Sequence, residues 1–207
     1  MKLGVVAALR TEIEPTRAAL SGPTDALIFR VAGVGADRAE AAARALPADL
    51  DGLLSVGFCG ALTDDLAPGD LILGGTTGFD ASPDLFGLAC RAPHRPGSVA
   101  MVDHVVVSTD EKRQISERTG ALAVDMESAA VGRVARERKQ KFLCVKVVLD
   151  TPSQPLASTY ASGGRVALDL LRRPWLVARM IGDGKRARMA AGKLRDFFVG
   201  FAKELNP

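Results

Sequence analysis

The sequence predicts a single-domain α/β fold, a three-layer αβα arrangement with a mixed but mostly parallel central sheet. Two observations carry this. Short apolar runs rich in β-branched residues alternate with segments of helical periodicity. That β-then-α rhythm lays parallel strands side by side with helices on both faces. The length of 207 residues suits one substantial core and is short for two, and neither an internal repeat nor a low-complexity linker divides it.

Each element follows from its local pattern. Residues 3–9 read as a buried strand and 12–20 as the helix after it. A second strand covers 26–32, followed by Gly33-Val34-Gly35 and a helix over 38–46. Residues 52–56 form a strand that runs into Gly57-Phe58-Cys59-Gly60, read as a turn. Residues 70–73 and 100–107 are further strands. The stretch 82–98, with three prolines and little periodicity, reads as a loop. A strand over 121–124 precedes a helix over 128–138, and 142–149 is nearly all apolar, the clearest strand of the chain. Residues 151–164 are rich in Pro, Ser and Gly and read as a loop. From about 165 to 207 the chain turns helical and basic. There Leu194, Phe197, Phe198, Phe201 and Leu205, three and four apart, make one apolar helix face.

Composition narrows the function classes. A net charge of +3 is too weak to argue for nucleic acid, although Arg172, Arg173, Arg179, Lys185, Arg186, Arg188, Lys193 and Arg195 crowd the last third. Cys59, Cys90 and Cys144 are odd in number and far apart, with no CxxC pair or Cys/His cluster to suggest a metal. Cys59 and Cys144 lie in apolar runs and read as small buried hydrophobes, which points to the cytoplasm. Arg10, Glu12 and Glu14 interrupt the N-terminal apolar run too early for a signal peptide, and no uncharged stretch approaches the ~18 residues that span a bilayer.

Three acidic sites each follow a strand-like run: Glu12, the pair Asp125 and Glu127, and Asp150. In an open parallel sheet, strand carboxyl ends share an edge where ligands bind, so these acids can converge on one pocket. Each also has a structural explanation. Glu12 complements a helix dipole, and Thr11-x-x-Glu14 is a capping box that makes Glu14 structural. Asp125 caps the following helix, Glu127 is a first-turn acid, and Asp150 before Thr151-Pro152 forms an Asx turn. Gly33-Val34-Gly35 is an incomplete dinucleotide fingerprint because Arg38 holds its last position. Gly57-Phe58-Cys59-Gly60 permits close backbone approach to a ligand. His94 and His104 read as surface residues. Lys146 interrupts the strand over 142–149 and needs a partner, for which Asp125 is a candidate.

Taken together, these segments resemble the purine nucleoside phosphorylase and methylthioadenosine/S-adenosylhomocysteine nucleosidase superfamily. The opening through Glu12 looks like that of the nucleosidases. Ser55 to Leu62 and Pro68-Gly69-Asp70-Leu71 are similar to the family's glycine turn and following strand. Val124-Asp125-Met126-Glu127-Ser128-Ala129-Ala130 is similar to its ribose-binding segment, and Val147-Val148-Leu149-Asp150 to the strand end with its general acid. The tail, with Gly164-Arg165-Val166 and Leu171-Arg172-Arg173-Pro174, looks like hopanoid-associated nucleoside phosphorylases, which are thought to act on a lipid-linked adenosine. Phe58 and Leu149 stand where the family often has small polar residues, which suits a greasier substrate, and the stretch between Asp80 and Met101 is short for the family.

The resemblance implies cleavage of the N-glycosidic bond of a purine, in the first place adenine, nucleoside, with no cofactor beyond inorganic phosphate as co-substrate in a phosphorylase. The leaving purine needs a proton at N7, which requires an acid still protonated near neutral pH, as an apolar setting favours. Asp150 takes that role. Glu127 accepts from the ribose hydroxyls, Met126 packs on the sugar, and Phe58, Cys59 and Gly60 line the site. Glu12 activates water in a hydrolase, whereas Arg10, Gly33 and Gly57 are the phosphate candidates of a phosphorylase. Homo-oligomers are expected, and the basic tail is a candidate for peripheral contact with an anionic inner membrane face. A small-nucleoside nucleosidase and a non-catalytic nucleoside-binding protein of the same fold are the alternatives.

Overall fold

The computed structural model describes residues 1–20, 26–154 and 184–205. In chain order the elements are β1 (Leu3–Ala7), α1 (Arg10–Ala19), β2 (Leu27–Val31), α2 (Ala36–Arg44), β3 (Gly52–Ala61), β4 (Leu71–Gly74), α3 (Pro83–Ala89), β5 (Arg95–Pro96), β6 (Val99–Met101), α4 (Thr109–Thr119), β7 (Ala123–Asp125), α5 (Ser128–Glu137), β8 (Lys141–Asp150) and α6 (Lys185–Leu205). One sheet runs β2-β1-β3-β8-β4-β5. The β2–β1, β1–β3 and β3–β8 pairs are parallel, and β4 is antiparallel to β8.

Strand alternation assigns the two faces. On β8, Leu143, Val145, Val147 and Leu149 pack into one core with Leu3, Val5 and the apolar face of α6, whereas Phe142, Cys144 and Val148 pack into a second core with Val6 and the buried sides of α2 and α5. The predicted face of α6 is buried as expected. Phe197 stacks on Phe201 with centroids 5.4 Å apart, and Phe198 meets Phe29 edge-on at 5.8 Å.

Strand lengths create the site. β1 ends at Ala7, paired with Val56, while β3 and β8 continue together for several residues to a register shift between Cys59 and Gly60. The short β7 pairs antiparallel with the end of β3, and β6 runs parallel to β7. A shelf of β3 and β8 is thus left uncovered by β1 and flanked by β7.

Several boundaries differ from expectation. Gly57-Phe58-Cys59-Gly60 is no turn but the second half of β3. The stretch 82–98 contains α3, entered through Ser82 with Pro83 in its first turn, where a missing N–H costs nothing. Of the predicted strand 100–107 only Ala100 and Met101 are strand, as the end of β6, and the chain then crosses the shelf without regular structure. Helix α4 was not expected at all. It is bounded by Ser108, whose Oγ accepts from Glu111 N at 3.4 Å, and by Gly120 at φ +67°. Residues 155–183, with most of the predicted 151–164 loop and the tail from Gly164 through Trp175, lie outside the described residues. No described helix is long and apolar enough to cross a membrane.

Candidate active site

Beyond the end of β1, the Phe58 N–H has no strand partner on that side and donates instead to Glu12 Oε1 at 2.9 Å. The second oxygen, Oε2, accepts from Leu9 N at 2.8 Å. Glu12 is therefore the acid that closes back on the start of α1, which begins at Arg10. Glu14 is not: its side chain is 58% exposed and lies 3.6 Å from Arg10, itself 81% exposed. The predicted Thr11/Glu14 capping box is not formed: the helix starts two residues early, with Leu9 as its N-cap, and only the reciprocal half remains, Glu12 accepting from the Leu9 N–H. Gly57, at φ +143°, makes room for this carboxylate, since a Cβ there would lie 2.5 Å from Glu12 Oε1. Burial raises the Glu12 carboxyl above its ordinary range, against the pull of Lys146 and the backbone N–H donors.

Glu127 precedes α5. Its Oε1 accepts from Gly35 N at 2.7 Å and its Oε2 from Met126 N at 3.3 Å. It arrives on a strand antiparallel to β3, not at a shared carboxyl edge as the sequence argument supposed. Burial, with Asp125 nearby, pushes Glu127 up to about 7. Asp125 has the structural role read for it. Its oxygens accept from Ser128 N at 3.1 and 3.2 Å and from Ser128 Oγ at 2.7 Å. It also pairs with Lys146 Nζ at 2.8 Å, both side chains buried. Burial works against the Lys146 ammonium, but Asp125, Glu127 and Glu12 outweigh it and hold the lysine above its usual range.

Asp150 ends β8, and its Oδ2 accepts from Lys112 Nζ at 2.6 Å. Its surroundings are thus not simply apolar, as expected, but include a buried ammonium delivered by α4. Glu12, Glu127, Asp150, Met126, Phe58, Cys59 and Gly60 all line one pocket of about 700 Å³, measured with its open mouth. Val34, Val102, Val105, Val106 and Leu149 make much of the remaining wall. Burial holds the Cys59 thiol well above its ordinary range, so it presents a protonated, apolar surface.

The phosphate candidates do not gather there. Arg10 points to solvent, Gly33 donates its N–H to Ala8 O at 2.9 Å, and Gly57 is covered by the Glu12 carboxylate. His104, read as a surface residue, lines the pocket instead. Its Nδ1 lies 2.7 Å from Asp103 Oδ1 and its Nε2 2.6 Å from Glu111 Oε1, contacts that raise its pKa. His104 and Lys112 were both missed. The legible signal was Ser108-x-x-Glu111 followed by Gly120, the start and stop of the helix that places them. Among the described residues no group of His, Cys, Asp or Glu is arranged to hold a metal ion.

A family model described as the phosphorylase superfamily matches residues 19–167. The chain belongs to that superfamily. A 5′-methylthioadenosine/S-adenosylhomocysteine nucleosidase of Thermotoga maritima is 43% identical over 56 residues, 27% of this superfamily member and 26% of the relative. The match thus spans about a quarter of that relative's length. Among solved structures, a futalosine hydrolase of Helicobacter pylori superposes with a TM-score of 0.71 at 18% identity, covering 96% of this chain and 97% of the other. A 5′-methylthioadenosine/S-adenosylhomocysteine nucleosidase of Helicobacter pylori with butyl-thio-DADMe-Immucillin-A gives 0.69 at 17%, covering 95% and 97%. At such identities the likeness establishes the phosphorylase-superfamily fold.

Proposed function

We propose that this protein cleaves the N-glycosidic bond of a purine nucleoside by hydrolysis. The observation that carries the reading is the meeting of Glu12, Glu127 and Asp150, from three separate elements, on one pocket beside Met126 and Phe58. Cleavage at C1′–N9 builds oxocarbenium character on the ribose, which nearby carboxylates stabilise. Glu127, anchored by Gly35 and Met126 N–H groups, accepts from the adjacent ribose hydroxyls. Glu12 takes a proton from the attacking water, a task that its raised pKa favours. Asp150 faces the leaving base and serves N7.

Hydrolysis is favoured over phosphorolysis by charge. The described wall carries carboxylates where a phosphate would need cations. Its basic side chain, His104, is engaged by Asp103 and Glu111, and Lys112 and Lys146 are each paired to an acid. The valine-rich wall favours a substrate with an apolar 5′ group. A lipid-linked adenosine of the hopanoid kind is the finest form of this reading.

The test is adenine release from adenosine, 5′-methylthioadenosine and a long-chain 5′-alkyl adenosine, with and without phosphate, beside Asp150→Asn. Phosphate-independent release that is lost in the variant is expected. Ribose 1-phosphate as product would refute hydrolysis, and wild-type turnover by Asp150→Asn would refute the role of the acid.

A further inference from the structure

Lys112 is a cation that the mechanism above does not use. It is fully buried, and its side chain and that of Asp150 are 1% and 7% exposed. The site is built for it. Ser108 and Gly120 fix the ends of α4, and the neighbouring Glu111 binds His104 on the segment that crosses the pocket. Gly60 leaves the necessary space: a Cβ there would come 3.0 Å from Asp150 Oδ1 and 3.4 Å from Lys112 Nζ. Asp150 lines the pocket, whereas Lys112 stands behind it. Burying an ammonium is costly, and a buried ion pair is commonly no more stable than an apolar pair of equal volume. Stability alone is therefore a poor reason for a lysine at this position.

Resting on the reading of Asp150 as the group that serves N7, we propose that Lys112 is the positioning residue that stores the proton for the leaving purine. As the C1′–N9 bond breaks, its electron pair passes to the purine. Starting from an Asp150 carboxylate and a Lys112 ammonium, one proton moves from Lys112 Nζ to Asp150 and on to N7. The purine leaves neutral, Asp150 ends as a carboxylate and Lys112 as an amine. The attacking water bonds C1′ through oxygen and passes its proton to Glu12. Once the products leave, Glu12 returns its proton to solvent and Lys112 is reprotonated by way of Asp150, which lines the open pocket, so the net change is nucleoside plus water to purine plus ribose.

This predicts an inverted ranking of substitutions. Arg keeps a cation against Asp150 but cannot be deprotonated. Met removes the ammonium behind Asp150, which favours a neutral, protonated carboxyl there. Lys112→Arg and Lys112→Met are compared with wild type on the adenine nucleoside that wild type cleaves best and on nitrophenyl riboside, whose leaving group departs without protonation. Lys112→Arg is expected to lose about 100-fold or more in kcat on the purine substrate, the scale of general acid catalysis. Lys112→Met loses less, and both stay close to wild type on nitrophenyl riboside, which also reports an intact site. A wild-type purine rate in Lys112→Arg, or a parallel loss on both substrates in Lys112→Met, overturns the proposal. Failure of wild type on both substrates overturns the N-glycosidic reading beneath it.

Discussion

Replacing Glu127 by Gln should stabilise the protein at alkaline pH while impairing the site. Glu127 is buried beside Asp125, which pushes its pKa from an ordinary 4.5 up to about 7. Between these values the folded state holds a proton that the unfolded state releases. Stability therefore falls as pH rises through that window, and the full penalty is present above pH 7. At about 1.4 kcal/mol per pH unit across that window, the penalty is at most about 3.5 kcal/mol. Part of it is shared with Asp125 and Lys146, so the bound is an upper one. Gln keeps an oxygen to accept from Gly35 N and carries no charge.

Urea unfolding of wild type and Glu127→Gln at intervals from pH 4.5 to pH 8.5 measures this. The curves should coincide near the acid end and diverge as pH rises, with the variant more stable by up to about 3.5 kcal/mol at pH 8. A difference that is constant across the range, or one that favours wild type at pH 8, would refute the argument. It would mean that the Glu127 carboxylate is fully compensated by its donors and by Lys146.

Two other perturbations test the surrounding charges. Lys146→Met removes the partner of Asp125 and strands a buried carboxylate, which costs about 3–5 kcal/mol. At about 2–4 °C per kcal/mol for a chain of this size, the melting temperature should fall by at least ~6 °C, and a calorimetric scan showing an unchanged melting temperature would refute the pairing. His104, raised by Asp103 and Glu111, should titrate above its ordinary 6.5 by NMR and move down in Glu111→Gln. Its stabilising contribution is present below the ordinary value and is lost as pH rises through the raised one.

Most strands were legible because they carry apolar runs of the right length, and α6 because its Phe spacing admits one buried face; the order of the strands in the sheet was not. Helix α4 was not, because only Lys112 and Ile115 of it are buried and it offers no apolar stripe. A search for hydrophobic periodicity passes over such a segment, although its caps are written in Ser108, Glu111 and Gly120. The same blindness hid His104 and Lys112, whose partners lie on other elements or in tertiary space. Glu12, Glu127 and Asp150 could be singled out because each follows a strand, but not their pairing. That depends on β1 stopping at Ala7 while β3 and β8 run on, a difference in length set by three-dimensional packing.

The four buried acids around the pocket divide by what holds them. Asp125 and Asp150 each face a lysine. Glu12 and Glu127 are held by backbone N–H groups, without a lysine in direct contact, and burial raises the pKa of both. A carboxylate under-compensated in this way is a stronger base and a stronger acceptor, and it is maintained at the expense of stability. Substrate hydroxyls and water are what such groups attract. Asp125 is used up in holding α5 and Lys146, so it belongs to the scaffold. Asp125 and Asp150 both line the pocket with a lysine behind them, but Asp125 also takes the Ser128 N–H and hydroxyl at the start of α5, whereas Asp150 stands at the end of β8 with Lys112 delivered by α4. The combination suits an acid whose proton is resupplied from behind.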